Sequence, residues 1–299
     1  MKPPDQSSTP ADAVTQMLES LATGVEDLSS TDGLAQQLQG LLHDVLGNGA
    51  LRDTLTGRWL GHAVHPVLTD LPIGFWTSAF MLDFIGGHKS RAAAQRLVGL
   101  GVLAALPTAA SGAADWSDTA GKDRRVGLVH AALNSAAIVC FSASWLARRR
   151  GHHGRGVLYG IAGSAAATGG GFFGGHLVAR LGIGVDHTAY VELPTDWTPT
   201  DAASTFDEGS PRQVIVGEAE IVVTREGDAW FGLADRCTHA GGPLHEGEVN
   251  DGCVECPWHG SRFRLRDGTV ARGPAFAPQP VVAVRVREDV VEVRDGTAT

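Results

Sequence analysis

The sequence predicts a two-part fold, an all-α bundle of four transmembrane helices followed by a small all-β domain. Three observations lead to this prediction. Four apolar stretches follow one another in the middle of the chain, each close to the roughly 20 residues that a helix needs to cross a bilayer. Short runs rich in β-branched residues, separated by Gly, Asp and Pro, fill the last third. Two Cys/His pairs lie within that last third, at a spacing typical of a metal site.

The chain divides into segments of unlike composition, so its mean hydropathy of -0.01 and net charge of -9 describe none of them well. We expect four segments in order: an amphipathic helical segment, a four-span membrane domain, a linker and a β domain. Their predicted bounds are 1–54, 55–190, 191–210 and 211–299.

The N-terminal segment is acidic and rich in Ser, Thr and Gln. Its apolar residues recur at helical spacing, which predicts two amphipathic helices that lie on a membrane, on a partner or on each other. Nothing in them suggests catalysis, and the sequence lacks a basic surface for nucleic acid. The apolar positions are Val14, Met17, Leu18, Leu21, Leu34, Leu38, Leu41 and Val45.

The predicted spans cover residues 67–87, 96–114, 126–147 and 156–181. Four buried helices of a soluble protein would need a shell of amphipathic partners that the sequence lacks. The loops His88–Arg96 and Arg148–Arg155 are basic and contain no acid, which favours the cytoplasmic side for both. An even number of spans then places both termini, and the β domain, outside the cytoplasm of a multi-pass protein of the cell membrane.

A set of ionisable residues lies at the span ends predicted to face the β domain. Such residues are costly in a membrane and usually mark a site. Two histidines on facing helices could bind a b-type haem, and a histidine with an aspartate could handle the protons of a quinone. The remaining alternative is that these side chains only hydrogen-bond each other and anchor the bundle. The set comprises His62, His65, Asp70, Asp115, His130 and His176.

Residues 55–190 also resemble an uncharacterised family of small four-helix bacterial membrane domains, in which a His-Pro pair opens the first span. That pair is His65-Pro66 here. The resemblance implies the four-span topology and membrane lipid as surroundings, and it implies no chemistry.

The metal-site spacing is C-x-H-x16-C-x2-H, from Cys237 and His239 to Cys256 and His259. Thiolates and imidazoles in equal number suit an iron-sulfur centre in which two histidines replace two cysteines on one iron. Zinc is the alternative, but zinc sites usually pair Cys with Cys and His with His. The remaining cysteines, Cys140 and Cys253, are expected to be buried as small apolar residues.

Charge explains why two histidines would be used in such a centre. Two ferric ions, two sulfides and two thiolates sum to zero charge, whereas four thiolates would leave the centre a dianion. An electron enters a neutral cluster more easily, so histidine ligation raises the reduction potential. Each imidazole is expected to keep its second nitrogen toward solvent, which would couple reduction to protonation.

The segments Cys-Thr-His-Ala-Gly-Gly-Pro-Leu at 237–244 and Cys-Pro-Trp-His-Gly-Ser-Arg-Phe at 256–263 resemble the two cluster loops of the Rieske family. The resemblance covers about residues 211–295. It implies one 2Fe-2S cluster per chain, with Leu244 packed against it and a proline-rich loop on its other side. The implied ligands are Cys237, His239, Cys256 and His259, and the implied loop contains Gly273-Pro274, Pro278 and Pro280.

The sequence departs from the family at three positions. Gly242 and Trp258 replace the two further cysteines that form a disulfide in high-potential Rieske proteins. Ser261 is retained and could donate a hydrogen bond to a cluster sulfur, but Phe263 replaces the tyrosine expected two residues later. Because hydrogen bonds to sulfur raise the potential, we expect a potential at the low, ferredoxin-like end of the Rieske range.

Two classes of function stay open from the sequence. The first is a membrane-anchored electron carrier or oxidoreductase component, whose partner is a redox protein or a quinone that the sequence does not identify. The second is a redox-sensing or binding membrane module. A self-contained oxygenase is not expected, because the mononuclear iron of such enzymes needs two histidines and a carboxylate. Forty residues (299 minus 259) follow His259, and none of them is histidine.

Overall fold

The structure, a computed structural model, describes residues 10–47 and 49–297. Within them an all-α part precedes an all-β part, which confirms the predicted fold class. The α-helices number seven, because a short helix at Ala50–Thr56 accompanies the four predicted spans and the two predicted amphipathic helices. The helices are α1 Pro10–Glu26, α2 Asp32–Leu46, α3 Ala50–Thr56, α4 His65–Ile85, α5 Arg91–Trp116, α6 Gly121–Arg149 and α7 His153–Ala179. The strands are β1 Thr198–Ala202, β2 Arg212–Val216, β3 Ala219–Glu226, β4 Ala229–Ala234, β5 Glu248–Asn250, β6 Cys253–Glu255, β7 Arg262–Arg264, β8 Val270–Arg272, β9 Val281–Arg287 and β10 Val290–Asp295.

The chain forms two compact units. The first unit contains the chain up to Asp44, Leu68–Ala109 and Thr119–Leu181. The second unit contains Val45–Val67, Ala110–Asp118 and Gly182–Thr299. The second unit therefore joins the β domain to two short helical segments that lie far from it in sequence.

Each predicted span coincides with one long helix, α4 to α7. In the described part of the chain, two segments are long and apolar enough to cross a membrane, His88–Trp116 and Gly121–Arg149, each with a hydropathy of 1.7. Long runs of apolar and small residues form these helices. Pro72 lies inside α4 and Pro107 inside α5, and neither proline ends its helix.

Two aromatic rings pack on glycines in the core of the first unit, where small residues such as Ala79 and Ala137 are also buried. Trp76 stacks on Phe141 with ring centroids 4.1 Å apart and an interplanar angle of 10°. A Cβ atom at Gly101 would lie 2.3 Å from Nε1 of Trp76, and one at Gly163 would lie 2.9 Å from the Phe141 ring. Glycine is needed at both positions because the rings pack directly on the helix backbone.

Arg148 was predicted to lie in a basic loop, but the structure places it in a helix. It lies in the last turn of α6, and its guanidinium binds both oxygens of Asp83, at 2.7 and 2.5 Å. The two side chains are 2% and 6% exposed. The loop that follows α6 therefore has one free positive charge fewer than the sequence suggests.

The helices α1 and α2 lie where the helical spacing predicts them. Their larger apolar residues point outward, since Met17 is 56% exposed and Leu41 is 62% exposed. The buried positions of the two helices are Ala22, Ala35, Gln39 and Leu46. Asp32 anchors α2, because its carboxylate binds Arg125 of α6 at 2.6 Å.

The β domain consists of two antiparallel sheets. The larger sheet has the order β1-β10-β9-β4-β3-β2, and the smaller has the order β5-β6-β7-β8. The runs rich in β-branched residues at 214–216, 221–224, 230–233, 281–286 and 290–293 were expected to be strands, and they lie in β2, β3, β4, β9 and β10. Residues 198–202, within the predicted linker, form β1 and pair with β10 at the sheet edge, where Pro199 is tolerated.

The β domain has two apolar cores. One contains Ile221, Val223, Val291 and Val293 of the larger sheet, each fully buried. The other contains Val254 and Phe263 of the smaller sheet. Cys237, Leu244 and Cys256 belong to this second core, so the loops that carry the metal motif are supported from inside the domain.

Candidate metal centre

The two motif loops have the same backbone hydrogen bonds. Cys237 N–H donates to the Gly242 carbonyl at 2.8 Å, and Gly241 N–H donates back to the Cys237 carbonyl at 2.8 Å. Cys256 N–H donates likewise to the Ser261 carbonyl, and Gly260 N–H donates back to the Cys256 carbonyl. The fourth residue after each cysteine is a glycine at positive φ, +75° and +71°, because only this conformation closes the loop without strain.

The structure brings the four predicted ligands together in two pairs, one of thiols and one of imidazoles. The Cys237 and Cys256 thiols hydrogen-bond each other. The His239 and His259 rings lie 5.0 Å apart between centroids and are nearly perpendicular, at 86°. Each loop therefore contributes one sulfur to a sulfur pair and one imidazole to an imidazole pair.

The donor atoms fit a two-iron cluster. Nδ1 of His239 and Nδ1 of His259 are both buried and have no hydrogen-bond partner among the described residues. Buried polar atoms are rarely left without a partner, so these two nitrogens, on rings 5.0 Å apart, fit a site in which imidazoles bind a metal group. Among the described residues no three His, Cys, Asp or Glu side chains are grouped as a single metal ion would need. Two pairs of donors suit a cluster with two thiolates on one iron and two imidazoles on the other.

The local electrostatics keep both imidazoles neutral, which is the form that binds metal. Burial and the neighbouring His259 lower the pKa of His239 to about 4. Burial also lowers the pKa of His259. Both shifts favour the neutral imidazole, whose unprotonated nitrogen has the lone pair that a metal needs.

The hydrogen bond between the two thiols shifts their pKa values in opposite directions. A hydrogen bond from Cys237 and the backbone N–H groups of Trp258 and His259 lower the pKa of Cys256 to about 7. The pKa of Cys237 is raised, because its thiol is the donor to Cys256 and is buried. Backbone N–H groups also point at the Cys237 sulfur, from His239 and Ala240. These N–H groups would stabilise thiolates bound to iron.

The residues implied to surround the cluster lie around the donors. Leu244 and Phe263 are both fully buried in the core that contains the two cysteines. Ser261 is also fully buried, and its Oγ accepts a hydrogen bond from Ala275 N–H at 3.0 Å. A Cβ atom at Gly242 would lie 2.9 Å from the Cys256 sulfur and 3.0 Å from Trp258. A larger residue at Gly242 would therefore press on a ligand.

Three polar residues that the sequence did not single out hold the loops in place. Gln279 binds the first loop, since its amide oxygen accepts from Thr238 N–H at 3.2 Å. Arg272 binds the second loop, donating to the Gly260 carbonyl at 2.8 Å and to Glu255 at 2.5 Å. The Thr238 hydroxyl, between two motif residues, donates to the Ala277 carbonyl at 3.0 Å. Spacing gave no signal for either residue, because Gln279 lies 41 positions from Thr238 and Arg272 lies outside both motif loops, 12 positions after Gly260.

A buried carboxylate orders the end of the first loop. Asp235 is 1% exposed and accepts hydrogen bonds from the backbone N–H of His245 at 2.8 Å and from Gln213 at 2.9 Å. Its second oxygen also lies 2.6 Å from Nδ1 of His245. The arrangement fixes the turn that follows Leu244.

The histidines of the predicted spans have protein partners. His65 Nδ1 lies 3.2 Å from Ser111 Oγ in the second unit. In the first unit, His130 Nδ1 lies 2.8 Å from the Gly170 carbonyl, and His176 Nε2 lies 2.7 Å from Glu26. A ring nitrogen of each histidine is occupied in this way, and the described residues give no support for a haem.

A small two-sheet β domain with Cys/His pairs on two matching loops, with a third loop over them, defines a Rieske-type iron-sulfur domain. Comparison with known proteins agrees. The chain belongs to the Rieske [2Fe-2S] domain family, whose model matches residues 196–286. The resemblance of the two loops to the Rieske family is therefore confirmed. A second family model, described as "Predicted membrane protein (DUF2231)", matches residues 61–187.

The relatives with known names match the Rieske part. The chain is 38% identical over 101 residues to the anthranilate 1,2-dioxygenase ferredoxin subunit of Burkholderia cepacia, covering 34% of this chain and 94% of that protein. It is 38% identical over 98 residues to ferredoxin CarAc of Metapseudomonas resinovorans, covering 32% and 92%. Among solved structures, the ferredoxin of carbazole 1,9a-dioxygenase from Nocardioides aromaticivorans IC177 is 25% identical, covers 33% of this chain and 98% of that one, and has a TM-score of 0.33.

Proposed function

We propose that this protein is a membrane-anchored electron carrier with one Rieske 2Fe-2S cluster held by Cys237, His239, Cys256 and His259. The observation that carries the proposal is the pair of buried, unpartnered Nδ1 atoms beside the paired thiols. When bound, the cluster would supply a centre that accepts and releases one electron at a time. Relatives named as ferredoxins share this part of the chain, which supports the electron-transfer role.

The protein's own residues would have three tasks at this centre. Backbone N–H groups of the two loops would donate hydrogen bonds to the cysteine sulfurs and so stabilise negative charge there. Leu244 and Phe263 would exclude water from the sulfur side, since both are fully buried. The hydrogen bonds of Gln279 and Arg272 would hold the loops in one geometry in both oxidation states. A rigid site lowers the structural cost of gaining or losing an electron.

Three observations support membrane anchoring. The DUF2231 match covers the helical part. In the most apolar 18 residues of each candidate span, only 33% and 22% are buried, respectively. Large apolar side chains lie on the outside of the helices, namely Leu103 and Val139 in the two candidate spans, 64% and 67% exposed, and Leu158 in α7, 67% exposed. A surface of this kind is stable in lipid and is avoided in water.

We place the Rieske domain outside the cytoplasm, because the basic loops favour the cytoplasmic side for the other ends of the spans. Protease accessibility in spheroplasts tests this placement: the C-terminal domain should be cleaved in intact spheroplasts. A domain that is protected until the cells are lysed would place it in the cytoplasm.

The ligands are tested with matched cysteine variants. Full-length protein in detergent should give the electron paramagnetic resonance (EPR) signal of a reduced Rieske cluster. Cys256→Ala should abolish the signal, whereas Cys253→Ala should retain it, because Cys253 is a buried core residue of β6. His259→Ala should likewise abolish the Rieske signal, whereas His152→Ala, at an exposed position, should retain it. A Rieske signal that survives Cys256→Ala, or iron-free wild-type protein after anaerobic reconstitution, would contradict the proposal.

A further inference from the structure

The helices α1 and α2 each expose a row of large apolar side chains. The row on α1 has the spacing i, i+3, i+7 and the row on α2 has the spacing i, i+4, i+7, so each row lies along one face of its helix. All six side chains are between 37% and 62% exposed. Single exposed apolar residues are common on protein surfaces, but two rows on consecutive helices mark a binding surface. The apolar rows consist of Val14, Met17 and Leu21 on α1 and of Leu34, Leu38 and Leu41 on α2.

Each helix has three different sides. One side is buried against the rest of the protein, as at Ala22 and Ala35. The apolar row lies on one flank of the helix, and the opposite flank is polar and exposed, as at Thr23 of α1 and Gln36 of α2. Thr23 and Gln36 each lie two positions from a residue of the apolar row, and positions two apart point about 200° away from each other around a helix. An apolar flank opposite a polar flank suits the boundary between lipid and water.

Polar contacts hold both helices beside the start of α6. Arg125 of α6 donates to the Glu26 carbonyl at the end of α1, at 2.8 Å. The same guanidinium binds both carboxylate oxygens of Asp32, the first residue of α2, at 2.9 and 2.6 Å. Gln39 of α2 donates to the carbonyl of Thr119, two residues before α6 begins, at 2.9 Å. The turn that joins α1 to α2 is therefore fixed at this end of α6.

This end of α6 is also the end of a candidate membrane span. The helix Gly121–Arg149 is long and apolar enough to cross a membrane. Its apolar stretch begins at residue 126, directly after Arg125. Arg125 therefore lies where the hydrocarbon of a bilayer would give way to the polar headgroups. The helices α1 and α2, which Arg125 holds, are placed at the same depth.

The exposed sides of the two helices have almost no charge. Neither helix contains Lys or Arg. The eleven residues from Gly33 to His43 of α2 include no Asp or Glu, and residues 13–25 of α1 include only Glu19. Surface helices that bind anionic lipid have Lys and Arg on their polar face. Binding through headgroup charge is therefore not open to α1 and α2, and burial of the apolar rows is.

We propose that α1 and α2 form a lipid-binding helix pair that lies in the bilayer surface beside α6, with both apolar rows inserted among the acyl chains. The inference rests on the proposed membrane anchoring. Insertion is driven by burial of apolar surface. Lipid without net charge is therefore sufficient, and salt has little effect on the insertion.

A second copy of the chain is the competing occupant of the apolar rows. Spacings of three and four residues also suit a seam between helices. Position favours lipid, because the chain's own spans hold the helix pair at the bilayer, whereas a second copy must first associate.

The test attaches the environment-sensitive fluorophore NBD to single introduced cysteines in full-length protein. Leu38→Cys reports on the apolar row of α2, and Gln36→Cys, on the opposite flank of the same helix, is its control. Leu21→Cys and Thr23→Cys form the same pair on α1. Wild-type protein treated in the same way gives the background from the native cysteines. The protein is reconstituted at one copy per nanodisc of phosphatidylcholine, a lipid without net charge.

The two kinds of position should respond to different quenchers. The labels at Leu38 and Leu21 should emit at shorter wavelength than their controls and should be quenched by phosphatidylcholine with a doxyl group on its acyl chain. The labels at Gln36 and Thr23 should be quenched by iodide in the water. Added phosphatidylglycerol or salt should change none of these signals, because headgroup charge does not drive the insertion.

The outcomes separate lipid from the other occupants and from the proposed function. Equal quenching by doxyl lipid within each pair would overturn the role of the helix pair. Row labels shielded from iodide only when two copies share a nanodisc would also overturn it, since a second copy would then cover the rows. Row labels that reach the lipid only with phosphatidylglycerol would overturn binding through apolar burial. The two pairs lie on different helices, so one variant that fails to fold leaves the other pair as the test.

The proposed anchoring is tested separately by extraction of wild-type membranes with alkaline carbonate. Protein that is released without detergent would overturn the membrane anchoring itself. Protein that stays in the membrane while iodide reaches both row labels would overturn only the role of the helix pair.

Discussion

Gln279 accepts a hydrogen bond from the backbone N–H of Thr238 at 3.2 Å, and this contact ties the proline-rich loop to the first motif loop. The amide nitrogen of Gln279 donates in addition to the carbonyls of Ala234 and Arg236, each at 2.7 Å. Gln279 is 2% exposed. One buried side chain therefore satisfies three backbone groups on either side of Cys237.

Gln279→Leu should destabilise the Rieske domain strongly. The substitution leaves one buried N–H group and two buried carbonyls unsatisfied, and each such group costs about 1–3 kcal/mol. We expect the free energy of unfolding to fall by about 3 kcal/mol or more and the cluster to be lost at lower denaturant, as followed by visible circular dichroism. Gln37→Leu, at an exposed position of α2, is the control. Equal denaturation midpoints for the two variants would show that the Gln279 contacts contribute little.

Ser261→Ala should lower the reduction potential of the cluster. The Ser261 hydroxyl accepts from Ala275 N–H at 3.0 Å, which leaves its own hydrogen available for a cluster sulfur. A hydrogen bond to sulfur stabilises the reduced form, so its loss favours the oxidised form. The potential is measured by EPR redox titration, with the exposed Ser204→Ala as the matched control. An unchanged potential in Ser261→Ala would mean that the hydroxyl serves only the loop.

Asp83→Ala should destabilise the helical part more than a double variant that replaces both members of the Asp83–Arg148 ion pair. The carboxylate forms two hydrogen bonds with Arg148, and both side chains are almost fully buried. Removing one partner leaves an uncompensated buried charge, which costs about 3–5 kcal/mol. We expect a large fall in the melting temperature in detergent for Asp83→Ala and a smaller one for the double variant Asp83→Leu/Arg148→Met. A double variant that is less stable than Asp83→Ala would contradict this account.

Much of the fold could be predicted because its signals are local. A strand such as β3 shows in a short run of β-branched residues, and each motif loop shows in a cysteine followed four residues later by glycine. The helices α4 to α7 follow from unbroken apolar stretches. The predicted ligand set rests on the spacing of Cys and His along the chain, and the structure adds that the two loops that carry these residues repeat one hydrogen-bond pattern.

The polar contacts around the site could not be predicted, because they join residues that are distant in sequence. Gln279 and Thr238 are 41 positions apart, and Gln279 and Ala234 are 45 apart. No periodicity links such partners, and each residue type is common at exposed positions as well. The strand β1 was missed for another reason. Its sequence, Thr-Pro-Thr-Asp-Ala, contains few strand-forming residues, and pairing with β10 determines its conformation.

The contact of Asp32 with α6 predicts a pH dependence of stability. Hydrogen bonds and ion pairs with Arg125 and Arg124 lower the pKa of Asp32 from 3.8 to about 2. Because the folded-state pKa is depressed, the unfolded chain takes up the proton first as the pH falls. The contribution of Asp32 is therefore complete above about pH 4 and is lost progressively toward pH 2. Asp32→Asn should lower the melting temperature at pH 6, and its difference from wild type should shrink as the pH approaches 2. Asp44→Asn, at an exposed position of the same helix, should track wild type throughout. A difference between Asp32→Asn and wild type that stays constant from pH 6 to pH 2 would show that the carboxylate charge does not stabilise this contact.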